Sequence, residues 1–475
     1  MAEVNPHDKF IEECQHIIGA PNVLISDFDK KPFLIDWSKR YSGKAIAVLK
    51  PKTTEEISAL VRLCNQENIA ITPQGGNTGL CGGATPRPHA NSVVLSTIRL
   101  NTIREIDLDN ATITVDAGTI LSQVQEAALN AGMLFPLSLA AEGSCTIGGN
   151  LGTNAGGVQV LRYGNMRDLT LGLEVVTASG DILHGLRGLR KDNTGYSLKD
   201  LYIGSEGTLG IITAATLKLF PLPQSKATSL VAIKNIESAI KLIELARKRC
   251  NADLTAFELI STRAIALIES KAKNWGSTFS AKSGWTILLE FSSMEDSEQS
   301  RSQLEILLTE AFELELIDDA IIANSIQQSK DLWSIRESIP EAQLKLGTII
   351  KHDISVPISK IADFVKDTEV KINDRWPDTQ TIIFGHVGDG NLHYNLAPLT
   401  ADTPSTSLES KRQAINELVH NQVYLHSGSF SAEHGIGQAK REELPLRKDA
   451  IEIDLMRAIK KALDPKNLMN PEKIL

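Results

Sequence analysis

Five glycines fall within eleven residues from Pro73 to Gly83, Pro-Gln-Gly-Gly-Asn-Thr-Gly-Leu-Cys-Gly-Gly. So little side-chain surface leaves nothing to pack, but it frees backbone N–H groups to adopt positive φ. Ile69 to Thr72 reads as a short buried strand before this stretch, and Asn91 to Ser96 as the strand after it. A glycine-rich turn leaving a strand suits an anion, because consecutive amides form a concave, partly positive nest. On its own it would serve equally as a surface loop. A second, longer glycine-rich segment, Ala140 to Gly157, decides against that.

A third element runs from Lys191-Asp192-Asn193-Thr194-Gly195-Tyr196 to Ile203-Gly204-Ser205-Glu206-Gly207-Thr208-Leu209-Gly210-Ile211-Ile212. Neither the dinucleotide fingerprint of the Rossmann fold nor the P-loop lysine pattern is present. The three segments together resemble the FAD domain of the vanillyl-alcohol-oxidase/p-cresol-methylhydroxylase-type flavoproteins. The runs Pro73 to Gly83, Leu171 to Val176 and Arg190 to Ile212 resemble its D-2-hydroxyglutarate dehydrogenase branch, from about residue 40 to the end. Glycolate-oxidase and D-lactate-dehydrogenase relatives usually lack the Gln-Gly-Gly-Asn start of the first loop.

The resemblance implies an α+β fold, with a p-cresol-methylhydroxylase-type FAD-binding domain and an antiparallel-sheet cap over the substrate. It assigns FAD to Pro73, Gln74, Gly75, Gly76, Asn77, Thr78, Gly79, Gly82 and Gly83 in the first loop. In the second it assigns Glu142, Gly143, Ser144, Thr146, Gly148, Gly149, Gly152, Thr153, Asn154, Gly156 and Gly157. Glu206, Gly207, Gly210, Ile211, Ile212 and, farther on, Asn391 complete the set. Covalent relatives attach flavin through a histidine in the first loop. Pro73 to Gly83 has none and His89 lies beyond it, so the FAD is expected to be non-covalent.

A chain of 475 residues calls for two or three domains. The glycine-rich character ends at Phe220-Pro221-Leu222-Pro223, which places a boundary there. Residues 1–223 are then the FAD-binding domain, 224–425 the cap, and 426–475 a C-terminal segment that completes the active site and packs on the FAD domain. Helices are expected over Phe10–Ile18, from an N-cap at Thr53 through Cys64, and over Leu121–Ala131, Ile236–Cys250, Ser300–Leu314 and Leu455–Leu463. Strands are expected at Ala45–Leu49, Ala111–Gly118, Thr286–Phe291 and Thr381–Phe384.

With 49 basic and 58 acidic residues the net charge is −9, which argues against nucleic acid and against a basic membrane-docking face. Five dispersed cysteines fit a reducing compartment, and Cys81 and Cys145 in the glycine-rich loops read as small space-fillers. The start, Met-Ala-Glu-Val-Asn-Pro-His-Asp, resembles neither a secretory signal nor a transit peptide. Apolar runs such as Met133 to Ala141 are too short to span a bilayer. A cytoplasmic protein is expected.

The second half carries the chemistry. His386 and His393 bracket Val387-Gly388-Asp389-Gly390-Asn391-Leu392, and Glu433-His434 stand in Ser431-Ala432-Glu433-His434-Gly435-Ile436-Gly437. Seven positions apart on an ideal strand, the two histidines would point to opposite faces, so 388–391 must bend the chain if both reach one point. Two imidazoles and one carboxylate make a catalytic metal set that leaves coordination positions open. Hydrogen-bonded turn residues are the alternative. The resemblance assigns His386, His393 and Glu433 as ligands of a divalent metal and His434 as the base. Zinc is the first choice; manganese and cobalt stay open.

The resemblance also places Arg336, Lys351 and Asn395 on the substrate, whereas Arg336 beside Glu337 would by itself suggest a surface ion pair. Where relatives commonly carry a hydroxyl residue for the distal carboxylate, this chain has Pro340. The expected reaction is metal-assisted oxidation of a D-2-hydroxy acid, D-2-hydroxyglutarate first, with D-lactate, D-malate and glycolate as alternatives. A flavin electron-transfer subunit or an oxygen-using oxidase would not need the histidine–glutamate motif. The electron acceptor implied is an electron-transfer flavoprotein, and a homodimer fits.

Overall fold

The structure, a computed structural model, describes residues 7–89, 91–250, 253–268, 284–400 and 405–475. Residues 1–6, on which the leader reading rests, lie outside them. The chain forms two compact units. One is assembled from Met1–Gly156, Gly164–Pro221 and His434–Leu475, the other from Gly157–Tyr163 and Leu222–Glu433.

The first unit opens with α1 (Asp8–Ile18), β1 (Val23–Leu24), β2 (Val48–Leu49), α2 (Thr54–Glu67), β3 (Ala70–Gln74) and β4 (Ser92–Ser96). Only Val48–Leu49 of the strand expected from Ala45 joins a ladder. α2 starts where Thr53, in an extended conformation, accepts the Glu56 N–H, a cap contributing about 1 kcal/mol. It stops at Asn68, which takes the left-handed conformation at φ 52°. Ile57, Leu60, Val61 and Cys64 of α2 pack with Phe10, Cys14 and Ile18 of α1. The strands run in the order β1-β2-β4-β3, with β3 and β2 both parallel to β4.

Next come β5 (Ile103–Asp107), β6 (Thr112–Asp116), α3 (Leu121–Asn130), α4 (Ile147–Gly152), β7 (Thr170–Thr177), β8 (Ile182–Gly185) and β9 (Gly210–Lys218). They include an antiparallel sheet ordered β5-β6-β9-β7-β8. Glu174 in β7 is buried. Its carboxylate accepts from Thr54 Oγ1 at 2.7 Å, Thr213 Oγ1 at 2.9 Å and Arg104 Nη2 at 2.9 Å. Burial would push this acid up, yet these partners hold it below its ordinary value.

The second unit contains β10 (Ser225–Ile233), α5 (Ile236–Cys250), β11 (Leu254–Ser261), β12 (Trp285–Ser293), α6 (Ser297–Glu313), β13 (Asp319–Ile322) and α7 (Ile326–Ala342). After these come β14 (Asp353–Ser355), α8 (Ile361–Arg375), β15 (Thr379–Gly385), β16 (Asn391–Pro398) and α9 (Ser405–Leu425). Among the described residues the strands form one seven-stranded antiparallel sheet, β13-β10-β12-β11-β15-β16-β14. Strand periodicity sorts its two faces. Val231, Phe257, Leu289, Ile383, Leu392 and Tyr394 bury against α5, α6, α8 and α9. Leu230, Ile260, Leu288, Ile382, Phe384 and Ala397 bury against Leu332, Ile335 and Ile339 of α7. The face toward α7 also carries the buried carboxylates Glu258, paired with Leu288, and Glu290, paired with Ala256.

The tail belongs to the first unit. After α10 (Ala450–Leu463), Met469 pairs in parallel with Ile71, extending the first sheet past β3. Asn470 then donates from Nδ2 to Gly83 O at 2.9 Å and to Glu206 O at 2.7 Å. One side-chain amide thus ties the first glycine-rich loop to the third.

Candidate active site

Within the first unit the glycine-rich segments converge on a cleft of about 970 Å³, its open mouth included. It is lined by Pro73 to Gly79, Gly83, Thr146, Gly148, Gly149, Gly152, Thr153, Glu206, Gly207, Gly210, Ile211 and Ile212 of the expected set, together with His434. Cys81, Ala84, Thr97, Cys145, Asn150 and Ser205 also line it. Gly82, Glu142, Gly143, Ser144, Asn154 and Gly156 stand outside this lining, and Gly157 and Asn391 belong to the second unit. Asn391 is engaged there, donating from Nδ2 to Asp353 Oδ1 and Ile354 O.

The loops approach so closely that only glycine fits. A Cβ on Gly75 would lie 2.2 Å from Thr146 Oγ1, and one on Gly76 would lie 2.0 Å from Ser144 O. A lining this rich in glycine lets backbone N–H groups approach an elongated pyrophosphate, so the cleft fits FAD. Glu206 lines the cleft with its backbone left-handed at φ 51°. Its carboxylate accepts the Ile436 and Gly437 N–H groups at 2.7 and 2.8 Å. Burial raises its pKa above the ordinary value, and those two donors partly offset the rise. Burial also pushes the Cys145 thiol up, so it stays protonated.

In the second unit the bend expected at 388–391 is a complete strand reversal. β15 ends at Gly385, β16 begins at Asn391, and Gly390 at φ 92° permits the turn. His386 therefore sits in the turn while His393 sits on β16 opposite Phe384. Asp353 on β14 pairs with His393 from the other side, and its Oδ2 accepts the Glu433 N–H at 2.9 Å. The ligand atoms of His386, His393 and Glu433 lie within 4.8 Å of one another. His386 Nε2 and Glu433 Oε1 are 3.6 Å apart, close to the ~3.4 Å edge that two ~2.1 Å bonds make at a tetrahedral ion. The donor set fits a divalent cation with coordination positions to spare.

Behind His386 stands a residue the sequence did not single out. Glu258 on β11 is fully buried. It accepts His386 Nδ1 at 2.5 Å on Oε1 and Arg336 Nε at 2.8 Å on Oε2. Burial would raise its pKa, but His386 and Arg336 hold it down at about 2. A lone acid in the apolar strand run Leu254 to Ile260 was the available signal, since an isolated buried carboxylate is too costly without partners. Arg336, expected at the substrate, is buried on α7 with its guanidinium 4.8 Å above the Phe384 ring. Its Nη groups make no hydrogen bond among the described residues.

Lys351 is exposed just before β14. Asn395 is buried, donating from Nδ2 to Gln343 Oε1 and accepting the His352 N–H, which leaves one Nδ2–H. Pro340 lies inside α7, where its missing N–H frees the Arg336 carbonyl from its helical bond. The Ser338 hydroxyl turns back onto Ser334 O.

Comparison with known proteins sets this geometry in context. Residues 45–185 match the FAD binding domain family and 222–474 the family described as FAD linked oxidases, C-terminal domain. The chain is 36% identical to a mitochondrial D-2-hydroxyglutarate dehydrogenase of Arabidopsis thaliana over 98% of its own length and 81% of the relative's. It is also 36% identical to a D-2-hydroxyglutarate dehydrogenase of Xanthomonas citri pv. viticola, covering 98% of this chain and 97% of that one. The structure of p-cresol methylhydroxylase with substrate bound superposes with a TM-score of 0.76 at 18% identity, over 99% of this chain and 98% of the other. The α+β fold that the resemblance implies is the one found.

Proposed function

We propose, because the chain belongs to the FAD-linked oxidase family, that it is a metal-assisted dehydrogenase of D-2-hydroxy acids, D-2-hydroxyglutarate foremost. The observation that carries this is a covalent one. Glu433, within 4.8 Å of His386 and His393 by their ligand atoms, is followed directly in the chain by His434, which lines the glycine-rich cleft. One peptide bond joins a metal donor to a flavin-cleft residue.

The FAD would supply a two-electron acceptor and the divalent ion an electrophile for the substrate's hydroxyl and adjoining carboxylate. His386, His393 and Glu433 would hold the ion. His434, an imidazole able to be neutral near physiological pH, would take the hydroxyl proton. Glu433 is the poorer base, because its lone pairs are committed to the ion. The Nη edge of Arg336, stiffened by Glu258 and Phe384, would receive a carboxylate in paired hydrogen bonds, with Lys351 and the remaining Nδ2–H of Asn395 beside it. Support for the dicarboxylate comes from the names of both relatives and from the Nη edge of Arg336, which makes no hydrogen bond among the described residues. The absence of a hydroxyl at Pro340 leaves the distal end less tightly specified, which would favour D-malate as the next substrate.

The test is kcat/KM for D-2-hydroxyglutarate, D-malate, D-lactate and glycolate, and for L-enantiomers, in wild type, Arg336→Ala and Lys351→Ala. A charge-assisted hydrogen bond contributes about 1.5–3 kcal/mol, or roughly ten- to a hundredfold. Both variants should lose at least that much more with the dicarboxylate than with D-lactate. A wild type that prefers D-lactate or glycolate, with variants losing all substrates equally, refutes the distal-carboxylate assignment.

A further inference from the structure

We propose that Glu258 is a positioning residue serving two groups at once: it fixes the His386 tautomer that can bind a cation, and it anchors the arginine offered to the substrate. The proposal rests on the metal-site reading above. A neutral imidazole carries one N–H. With that hydrogen on Nδ1, held by Glu258 Oε1 at 2.5 Å, the free lone pair is on Nε2, the atom 3.6 Å from Glu433 Oε1. A carboxylate behind a ligating histidine orients the ring and strengthens it as a donor. The other oxygen of the same carboxylate takes Arg336 Nε at 2.8 Å, so the guanidinium can turn only its Nη edge outward. Both partners come from distant segments, α7 and the β15–β16 turn.

The sheet supplies its own comparison. Glu290, opposite Ala256 on neighbouring β12, is a second buried carboxylate near α7. It accepts Trp333 Nε1 at 2.7 Å and Thr228 Oγ1 at 3.1 Å, with Lys226 Nζ at 3.4 Å. None of its partners is a candidate ligand or substrate residue. Glu290 therefore does for α7 what any buried hydrogen-bonded acid does, and its loss should cost stability alone.

Zinc affinity is to be measured by equilibrium dialysis and metal analysis on the FAD-loaded protein, for wild type, Glu258→Gln, Glu258→Asp, Glu290→Gln and His386→Ala. In Glu258→Gln the amide oxygen can face only one of the two donors. We expect zinc binding 10- to 100-fold weaker, with FAD content unchanged. Excess zinc should restore kcat, while KM for the dicarboxylate stays raised. Glu258→Asp should recover part of the loss, and Glu290→Gln should bind zinc as wild type does. If Glu258→Gln does not yield FAD-loaded protein, Glu258→Asp against Glu290→Gln decides by the same criterion. Wild-type zinc affinity in the Glu258 variants, with His386→Ala impaired, overturns the positioning role alone. Equal zinc binding by wild type and His386→Ala overturns the metal site itself.

Discussion

Gly76→Ala tests whether the cleft depends on the backbones of the first two glycine-rich loops touching. The added Cβ would stand 2.0 Å from Ser144 O and 3.1 Å from the Cys145 Cα. Carbon–oxygen contacts under 3.0 Å are essentially never seen, so one loop must retreat by at least 3.0 − 2.0 = 1.0 Å. Ser144 O is backbone and cannot swing aside as a flexible side chain would. Overpacking of this kind costs about 1–3 kcal/mol. Charged to the flavin-binding conformation, that is roughly 5- to 150-fold weaker FAD binding. Gly143→Ala is the matched control, since a Cβ there meets nothing within 4 Å and the residue lies off the cleft lining. Apoprotein should be titrated with FAD by flavin fluorescence, with melting temperatures recorded alongside. If Gly76→Ala binds FAD and melts as Gly143→Ala does, the loops are not in the contact described.

Acid precipitation should release the flavin into the supernatant; yellow colour kept by the pellet refutes non-covalent attachment. Chelation, or His386→Ala, should abolish turnover while the flavin spectrum persists, because the ligands and the cleft belong to different units; full activity in rigorously metal-free protein rules the site out. Lys473 is buried with no hydrogen bond at Nζ among the described residues, and burial foremost, with Arg87 adding, lowers its pKa from 10.5 to about 7. Between those two values the unfolded chain holds a proton the folded protein lacks, so stability should rise with pH from about 7 to about 10.5. Lys473→Met should flatten that rise and stabilise the protein by a few kcal/mol near pH 7; an unchanged slope in denaturant melts refutes the assignment.

Local signals were legible where chemistry is local. Thr53 announces α2 because a threonine followed by early acids can do little else there, and Pro73 to Gly83 announces a backbone-lined cleft because it has no side chains to bury. The parity of His386 and His393 demanded a bend, and the chain supplies a hairpin. What the sequence could not display is pairing across distance. Glu258 is an ordinary-looking acid until β11 is laid beside β15, and nothing near residue 258 names residues 336 and 386 as its partners. Arg336 illustrates the converse: its neighbour Glu337 suggests a surface pair, but the helical phase of α7 turns the arginine inward to Glu258. Lys351 and Asn395 were placed by resemblance, and strand pairing shows the second of them largely occupied by Gln343 and His352.

The amide of Asn470 holds Gly83 and Glu206 together, partners 387 and 264 positions earlier in the chain. A ribosome delivers those loops long before it delivers the residue that clasps them. During synthesis the clasp between these loops must therefore wait while residues 222–433, which with Gly157–Tyr163 make up the second unit, emerge ahead of it. Tight flavin capture would then be a late event, gated by closure of a very long loop whose entropic cost grows only slowly with its length. Truncation just ahead of Asn470 would leave a protein with its second unit intact and its cofactor cradle unlatched.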